Sequence, residues 1–206
     1  MTEEEHHQNY AKVMAAIKKY KLTTNPKKEV YFSTSLAILG NLVSQGEVRP
    51  DPERLRPLRE LPVPQTAKSL KRAIGMFAYY SKWIPKFSEK ISPLRMSNCF
   101  PLNDTAVNAF ENLKSEIERS VVCTIDESLP FELETDASDN ALAGVLNQGG
   151  RPVAFFSKSL SGSELGHPAV EKEACAIIEA VRYWKHYLLG RHFSLVTDQK
   201  IGCIHV

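Results

Sequence analysis

Between Phe131 and Ser159 the chain fits three strand-length runs around two tight turns, and this restricts the fold more than any other feature. Phe131 and Leu133 alternate with Glu132 and Glu134, the two-residue period of a half-buried strand. That run ends at Asp136, and the turn-prone Ala137-Ser138-Asp139-Asn140 leads into a second run over 141–147. Gly149-Gly150 marks a short hairpin before a third run over 152–159. Pro168 then opens a long helix to about Leu189, and HFSLVTD (192–198) reads as a fourth strand that also closes on an aspartate. Three antiparallel strands, a helix and a further strand predict α/β architecture.

Upstream the signals are helical. Thr2 and Glu5 form a capping box, and Tyr10, Val13, Met14 and Ile17 recur at helical spacing, so residues 3–20 are predicted as an amphipathic helix. EVYF and LAILGNLV read as short strands, with SQG turning into EVR. Five prolines between Pro50 and Pro64 mark linking turns; Asp51-Pro52 caps a helix that Pro57 keeps short or kinked. A strong helix is predicted from Thr66 through Ile84, with Leu70, Ile74, Phe77 and Ile84 on one side. Asn103-Asp104 caps another, with Val107, Phe110, Leu113 and Ile117 inward.

Charge is unevenly spread. Residues 49–95 hold eleven Lys and Arg against four Asp and Glu, net +7, whereas 103–139 hold ten acids against two bases, net −8. A phosphate-facing surface beside a cation-binding one fits this split, and so do two solvated helix faces of opposite sign. Within the 66–84 helix, Lys68, Lys71, Arg72 and Lys82 are interleaved with Tyr79, Tyr80 and Trp83, a mixture that suits a nucleic-acid strand. The same spacing fits a helix whose aromatics fill the core. The four scattered cysteines form no CxxC pair, which argues against a disulfide framework or zinc site and suits a reducing, intracellular setting. No apolar run approaches membrane-spanning length, and MTEEEHHQ is no signal peptide.

Asp136 at a strand end is either a turn former or a metal ligand. Two-magnesium nuclease chemistry needs several carboxylates converging from rigid elements, because hard cations take oxygen ligands and the two metals sit ~4 Å apart. Asp136 and Asp198 supply two. The helix between them carries Glu171, Glu173 and Glu179. At 100° per residue Glu173 lies over Ile177, Ala180, Val181 and Trp184, the stripe that should face the sheet; Glu171 lies over Cys175, Ile178, Arg182 and Lys185. A charge on a buried face is costly unless paired or metal-bound, which selects Glu173.

TDASDNALAGVLNQGGRPVAFFSKSL and VEKEACAIIEAVRYWKHYLLGRHFSLVTDQK resemble the RNase H domain of gypsy-type LTR-retrotransposon and retroviral reverse transcriptases. Upstream stretches resemble the same polyprotein in the same order. The resemblance implies residues 1–48 as the end of the polymerase palm with primer-grip strands, 49–124 as thumb and tether helices, and 125–206 as an RNase H-like domain. The implied fold is α+β or α/β: thumb helices, then a mixed sheet of three antiparallel strands, a helix and a fourth strand. It implies Asp136, Glu173 and Asp198 as catalytic metal ligands for Mg2+ or Mn2+. Lys68, Lys71, Arg72, Lys82, Leu39 and Gly40 become nucleic-acid contacts, and an RNA–DNA hybrid the partner.

Several positions depart from the family pattern. Leu39-Gly40-Asn41 stands where Leu-Gly-His is common, Gln199 where His is usual, and Pro57 inside a helix the family keeps smooth. The polymerase YxDD-type motif is expected upstream of residue 1 and a fourth carboxylate some tens of residues beyond Asp198, so the RNase H unit is expected to be C-terminally truncated and its metal weakly bound. Three functional expectations follow: Mg2+-dependent hydrolysis of the RNA strand of a hybrid, complete in the intact ancestor and impaired in this chain, nucleic-acid binding without hydrolysis, or an incomplete domain with no activity.

Overall fold

The computed structural model describes residues 2–31, 33–197 and 204–205. It divides into one unit ending at Thr34 and a second beginning at Ser35. The first unit is built on α1 (Glu3–Lys19). The Thr2 hydroxyl accepts from the Glu5 N–H at 3.2 Å, and the Glu5 carboxylate accepts from the Thr2 N–H at 2.7 Å, completing the predicted capping box. Residues 29–31 are not a strand, contrary to the reading of EVYF. A β-rich run needs a partner, and here the side chains work locally instead: Tyr31 packs edge-on against Tyr10 at 5.3 Å and donates to the Glu29 carboxylate.

The second unit opens with a meander, β1 (Ser35–Ile38), β2 (Asn41–Ser44) and β3 (Glu47–Pro50). LAILGNLV is therefore two strands, not one. Leu39 and Gly40 have φ of 50° and 83°, and Gln45 and Gly46 have 49° and 80°, so each two-residue turn has both central residues left-handed, as a primed hairpin turn requires. Four helices follow: α2 (Pro52–Arg59), α3 (Ala67–Tyr79), α4 (Phe87–Met96) and α5 (Asp104–Arg119). Asp51 caps α2 by accepting from the Glu53 N–H at 3.0 Å, and the helix is short, as Pro57 implied. β4 (Val122–Cys123) returns to pair with β3. Phe77, Ile84, Ile91, Leu94, Phe110 and Ile117 are buried in the core these helices share.

The helix predicted over 66–84 ends early. α3 stops at Tyr79, and Ser81–Trp83 form a tight 3-10 turn. Turning the chain there buries Tyr80, Trp83 and Ile84 in that core, a gain that continuing the helix would forgo.

The rest of the unit is built on a five-stranded sheet. β5 (Phe131–Ala137), β6 (Ala141–Gln148) and β7 (Arg151–Ser159) form the predicted antiparallel run. α6 (Ala169–Tyr183) and the short α7 (Lys185–Leu188) lead to β8 (Phe193–Thr197), which pairs parallel to β5. β9 (Ile204–His205) adds antiparallel to β8, giving the order β7-β6-β5-β8-β9. The sheet is thus mixed, as predicted, and the strand order places β5 at its centre. One helix to Leu189 was predicted, but Trp184 breaks it with φ −99° and ψ 19° while its side chain is buried with Leu133, Leu146 and Ala180. Gly144 permits this packing: a β-carbon there would lie 3.3 Å from Trp184 and 3.4 Å from Ala180.

Candidate metal and nucleic-acid site

β5 alternates a buried set, Phe131, Leu133 and Thr135, with Glu132, Glu134 and Asp136. Asp136 comes near the end of the central strand, opposite Ala143 of β6. Its Oδ2 lies 2.5 Å from Nζ of Lys86, the residue that caps α4. Pro85, Lys86, Glu134, Thr135, Asp136 and Thr197 help to line a cavity of about 240 Å3. Thr197 pairs with Thr135 in the parallel register, so the described part of β8 reaches this end of β5. Asp198, the next residue and a predicted ligand, lies outside the described residues, as does Gln199.

Glu173 reaches β5 from α6. Its Oε1 accepts from the Ala137 N–H at 3.3 Å, one residue past Asp136, and its Oε2 is shielded from solvent. Glu171 is turned outward, 61% exposed, with its carboxylate 3.7 Å from the His167 ring. Glu179 lies near Lys158 and Arg182, at 3.7 and 3.4 Å. Of the stripe expected on α6, Ala180 and Trp184 are buried and Ile177 and Val181 pack half-buried against the same core. The other buried positions, Lys172 and Ala176, lie one residue before Glu173 and Ile177, so that Glu173 borders the buried face. Lys172 was overlooked in the sequence although its four-residue spacing to Ala176 and Ala180 marks it as inward. Its Nζ donates to the Asp139 carbonyl at 3.1 Å, tying α6 to the β5–β6 turn. Nothing in the residue pattern around Lys86 pointed to Asp136, because that contact exists only once the two cores are assembled.

Among the described residues no group of three or more His, Cys, Asp or Glu is arranged to hold a metal. The donors that are described, Asp136 and Glu173, are oxygen ligands suited to a hard divalent cation. The Lys86 ammonium at Asp136 is a cationic stand-in at the same carboxylate. Asp136 and Glu173 thus fit a divalent ion by the chemistry of their donors, although the described residues do not assemble a complete ligand set.

On the basic surface, Lys68, Lys71 and Arg72 are exposed on α3, opposite its buried Leu70, Ala73 and Phe77. Lys82 is exposed in the 3-10 turn, 5.3 Å above the Trp83 ring. Of the aromatics beside them only Tyr79 is open, at 58%; Tyr80 and Trp83 belong to the core and cannot stack on bases. Leu39, 87% exposed, and Gly40 form the tip of the β1–β2 turn. The Gly40 carbonyl accepts from the Asp51 N–H at 3.1 Å, and a β-carbon on Gly40 would meet the Arg54 side chain at 3.0 Å.

A mixed five-stranded sheet with α6 packed on its central strands is the arrangement of an RNase H-like domain. Residues 102–195 match the family described as the RNase H-like domain found in reverse transcriptase. The chain is 35% identical over 182 residues to the retrovirus-related Pol polyprotein from transposon 297 of Drosophila melanogaster, covering 84% of this chain and 16% of that protein. It is 33% identical over 205 residues to the corresponding polyprotein from transposon opus of the same species, covering 90% of this chain and 20% of that one. The foamy viral protease-reverse transcriptase shares its fold, solved with double-stranded DNA (TM-score 0.79, 20% identity, 95% of this chain, 36% of that one) and with an RNA/DNA hybrid (TM-score 0.78, 20% identity, 95% and 28%). The chain is part of the reverse transcriptase/RNase H region of a retrotransposon Pol polyprotein. It spans a fifth or less of the length of these two curated relatives.

Proposed function

We propose that this chain serves the Pol polyprotein by gripping an RNA–DNA hybrid and hydrolysing its RNA strand at the end of β5. In this reading residues 1–48 close the polymerase palm and present Leu39 and Gly40 to the primer, 49–124 form thumb and tether, and 125–206 the RNase H-like domain. Asp136, Glu173 and Asp198 would hold Mg2+. When bound, such an ion supplies Lewis-acid stabilisation of charge developing on phosphate oxygens. The rest is done by the chain. The Ala137 N–H fixes the orientation of Glu173, Lys172 holds the neighbouring turn, and Lys68, Lys71, Arg72 and Lys82 neutralise phosphates.

The observation that carries this reading is Glu173 bonded to the backbone beside Asp136. Its test is hybrid cleavage in Mg2+ by a Pol protein containing this chain. Glu173→Gln is expected to reduce cleavage to background, while Glu171→Gln retains most of it. If Glu171→Gln is the inactivating change, the site is wrongly assigned. A second reading, binding without hydrolysis, is favoured by the Lys86 ammonium at Asp136. Hybrid that is bound tightly at low salt and left uncut in Mg2+ by the unsubstituted protein supports it.

A further inference from the structure

Lys86 occupies an unusual backbone position. Its φ is 52°, in the left-handed region that a β-carbon disfavours, yet it is neither glycine nor asparagine. Its neighbours leave it little freedom. Ile84 and Phe87 on either side are buried, Pro85 restricts the approach, and the Lys86 carbonyl accepts from the N–H groups of Glu89 and Lys90 to start α4. Held there, its side chain brings Nζ to 2.5 Å from Asp136 Oδ2. The adjacent Glu134 is engaged elsewhere, its Oε1 accepting from the Asn147 amide at 2.8 Å.

We propose that Lys86 is an internal counter-ion of Asp136 that a divalent cation must displace, so that loading the end of β5 with metal is coupled to the first turn of α4. The inference rests on the reading of Asp136 as a metal ligand. An ammonium and a metal ion repel each other, and they compete for the same carboxylate oxygen. The pair is half open to solvent, 51% exposed at Lys86 and 34% at Asp136, so the competition is modest and reversible.

The experiment is Mn2+ titration of the chain followed by electron paramagnetic resonance, which needs no turnover. Lys86→Gln is expected to bind Mn2+ about two- to fivefold more tightly. Lys86→Gly, which also suits the left-handed backbone, should do the same. Lys86→Arg should retain the original affinity. So should Lys90→Gln, which removes an equal charge from α4, one that is paired with Glu116 at 2.8 Å. Asp136→Asn should weaken binding, and Lys86→Gln should add nothing on top of it. If Asp136→Asn weakens Mn2+ binding but neither Lys86→Gln nor Lys86→Gly tightens it, the counter-ion proposal alone is overturned. It is likewise overturned if Lys90→Gln matches Lys86→Gln, since the effect is then general charge. If Asp136→Asn changes nothing, the ligand assignment falls and takes this proposal with it. Tightening by Lys86→Gln in a protein that never cuts hybrid supports the counter-ion and removes only the hydrolytic function.

Discussion

Lys172 is 7% exposed, and among the described residues no other charged side chain is so completely covered. Its stem lies in the α6 stripe while its ammonium bonds the Asp139 carbonyl. Lys172→Ala is expected to cost about 1–3 kcal/mol through loss of a charged hydrogen bond and of packing, read from the denaturant midpoint, with Lys172→Met recovering part of it. An unchanged midpoint would show that the contact does no structural work. Tyr80 offers a pH test. Burial, reinforced by the adjacent Tyr79, raises its phenol above the ordinary value of 10.0. The folded state therefore favours the neutral phenol: its contribution is complete below about pH 10 and is lost as pH rises through the folded-state value. Tyr80→Phe should remove that alkaline sensitivity. It should also cost about 0.5–1.5 kcal/mol at neutral pH, because the hydroxyl donates to the Arg54 carbonyl at 3.2 Å.

At the scale of elements, the contact between α6 and the sheet sets where Glu173 meets β5. Gly144 is the close point, with Trp184, Ala180 and the Glu134 carbonyl all within 3.4 Å of where a β-carbon would sit. Gly144→Val is expected to overpack this seam and destabilise by about 1–3 kcal/mol, seen as a lowered thermal midpoint, with Gly144→Ala intermediate. An unaltered midpoint for the valine variant would mean that helix and sheet separate without cost. The two helices that end earlier than their patterns suggested, α3 and α6, do so beside buried tryptophans, Trp83 and Trp184. Local periodicity extends a helix for as long as its stripe continues. Burial of a large ring against a distant element decides where the chain actually turns.

Across the second unit as a whole, two cores share one seam. The Ser88 N–H donates to Ser157 Oγ at 2.9 Å and Arg95 donates to Ser159 Oγ at 2.7 Å, fastening α4 to β7. This seam belongs to the same assembly that sets Lys86 beside Asp136. On the basic face of α3, hybrid affinity should fall steeply with salt, and neutralising Lys71 or Arg72 singly should lower the log–log slope by ~1 with no change in sequence preference. Affinity that stays flat from low to moderate salt would reduce that face to ordinary solvated surface. Stacking, if it contributes, must come from Tyr79, since Tyr80 and Trp83 are committed to the core. Tyr79→Ala should then weaken binding by about 1–3 kcal/mol, measured by fluorescence titration with single-stranded oligonucleotide.

What the residue order determined by itself was whatever depends on near neighbours. The capping box of Thr2 and Glu5, the caps at Asp51 and Asn103, the short Pro57 helix and the alternation of Phe131 and Leu133 with Glu132 and Glu134 all stand in the structure. Each expresses a periodicity or a hydrogen bond completed within one turn or one strand. The outward turn of Glu171 and the inward turn of Glu173 were legible for the same reason, although the buried face also takes in Lys172 and Ala176. The structure alone decided the early ends of α3 and α6, the failure of 29–31 to pair, the burial of Tyr80 and Trp83, and the cation that meets Asp136. Those outcomes depend on which distant segments pack together. A residue's helical or strand period says which way it points, but the free energy of burying it belongs to both surfaces at once.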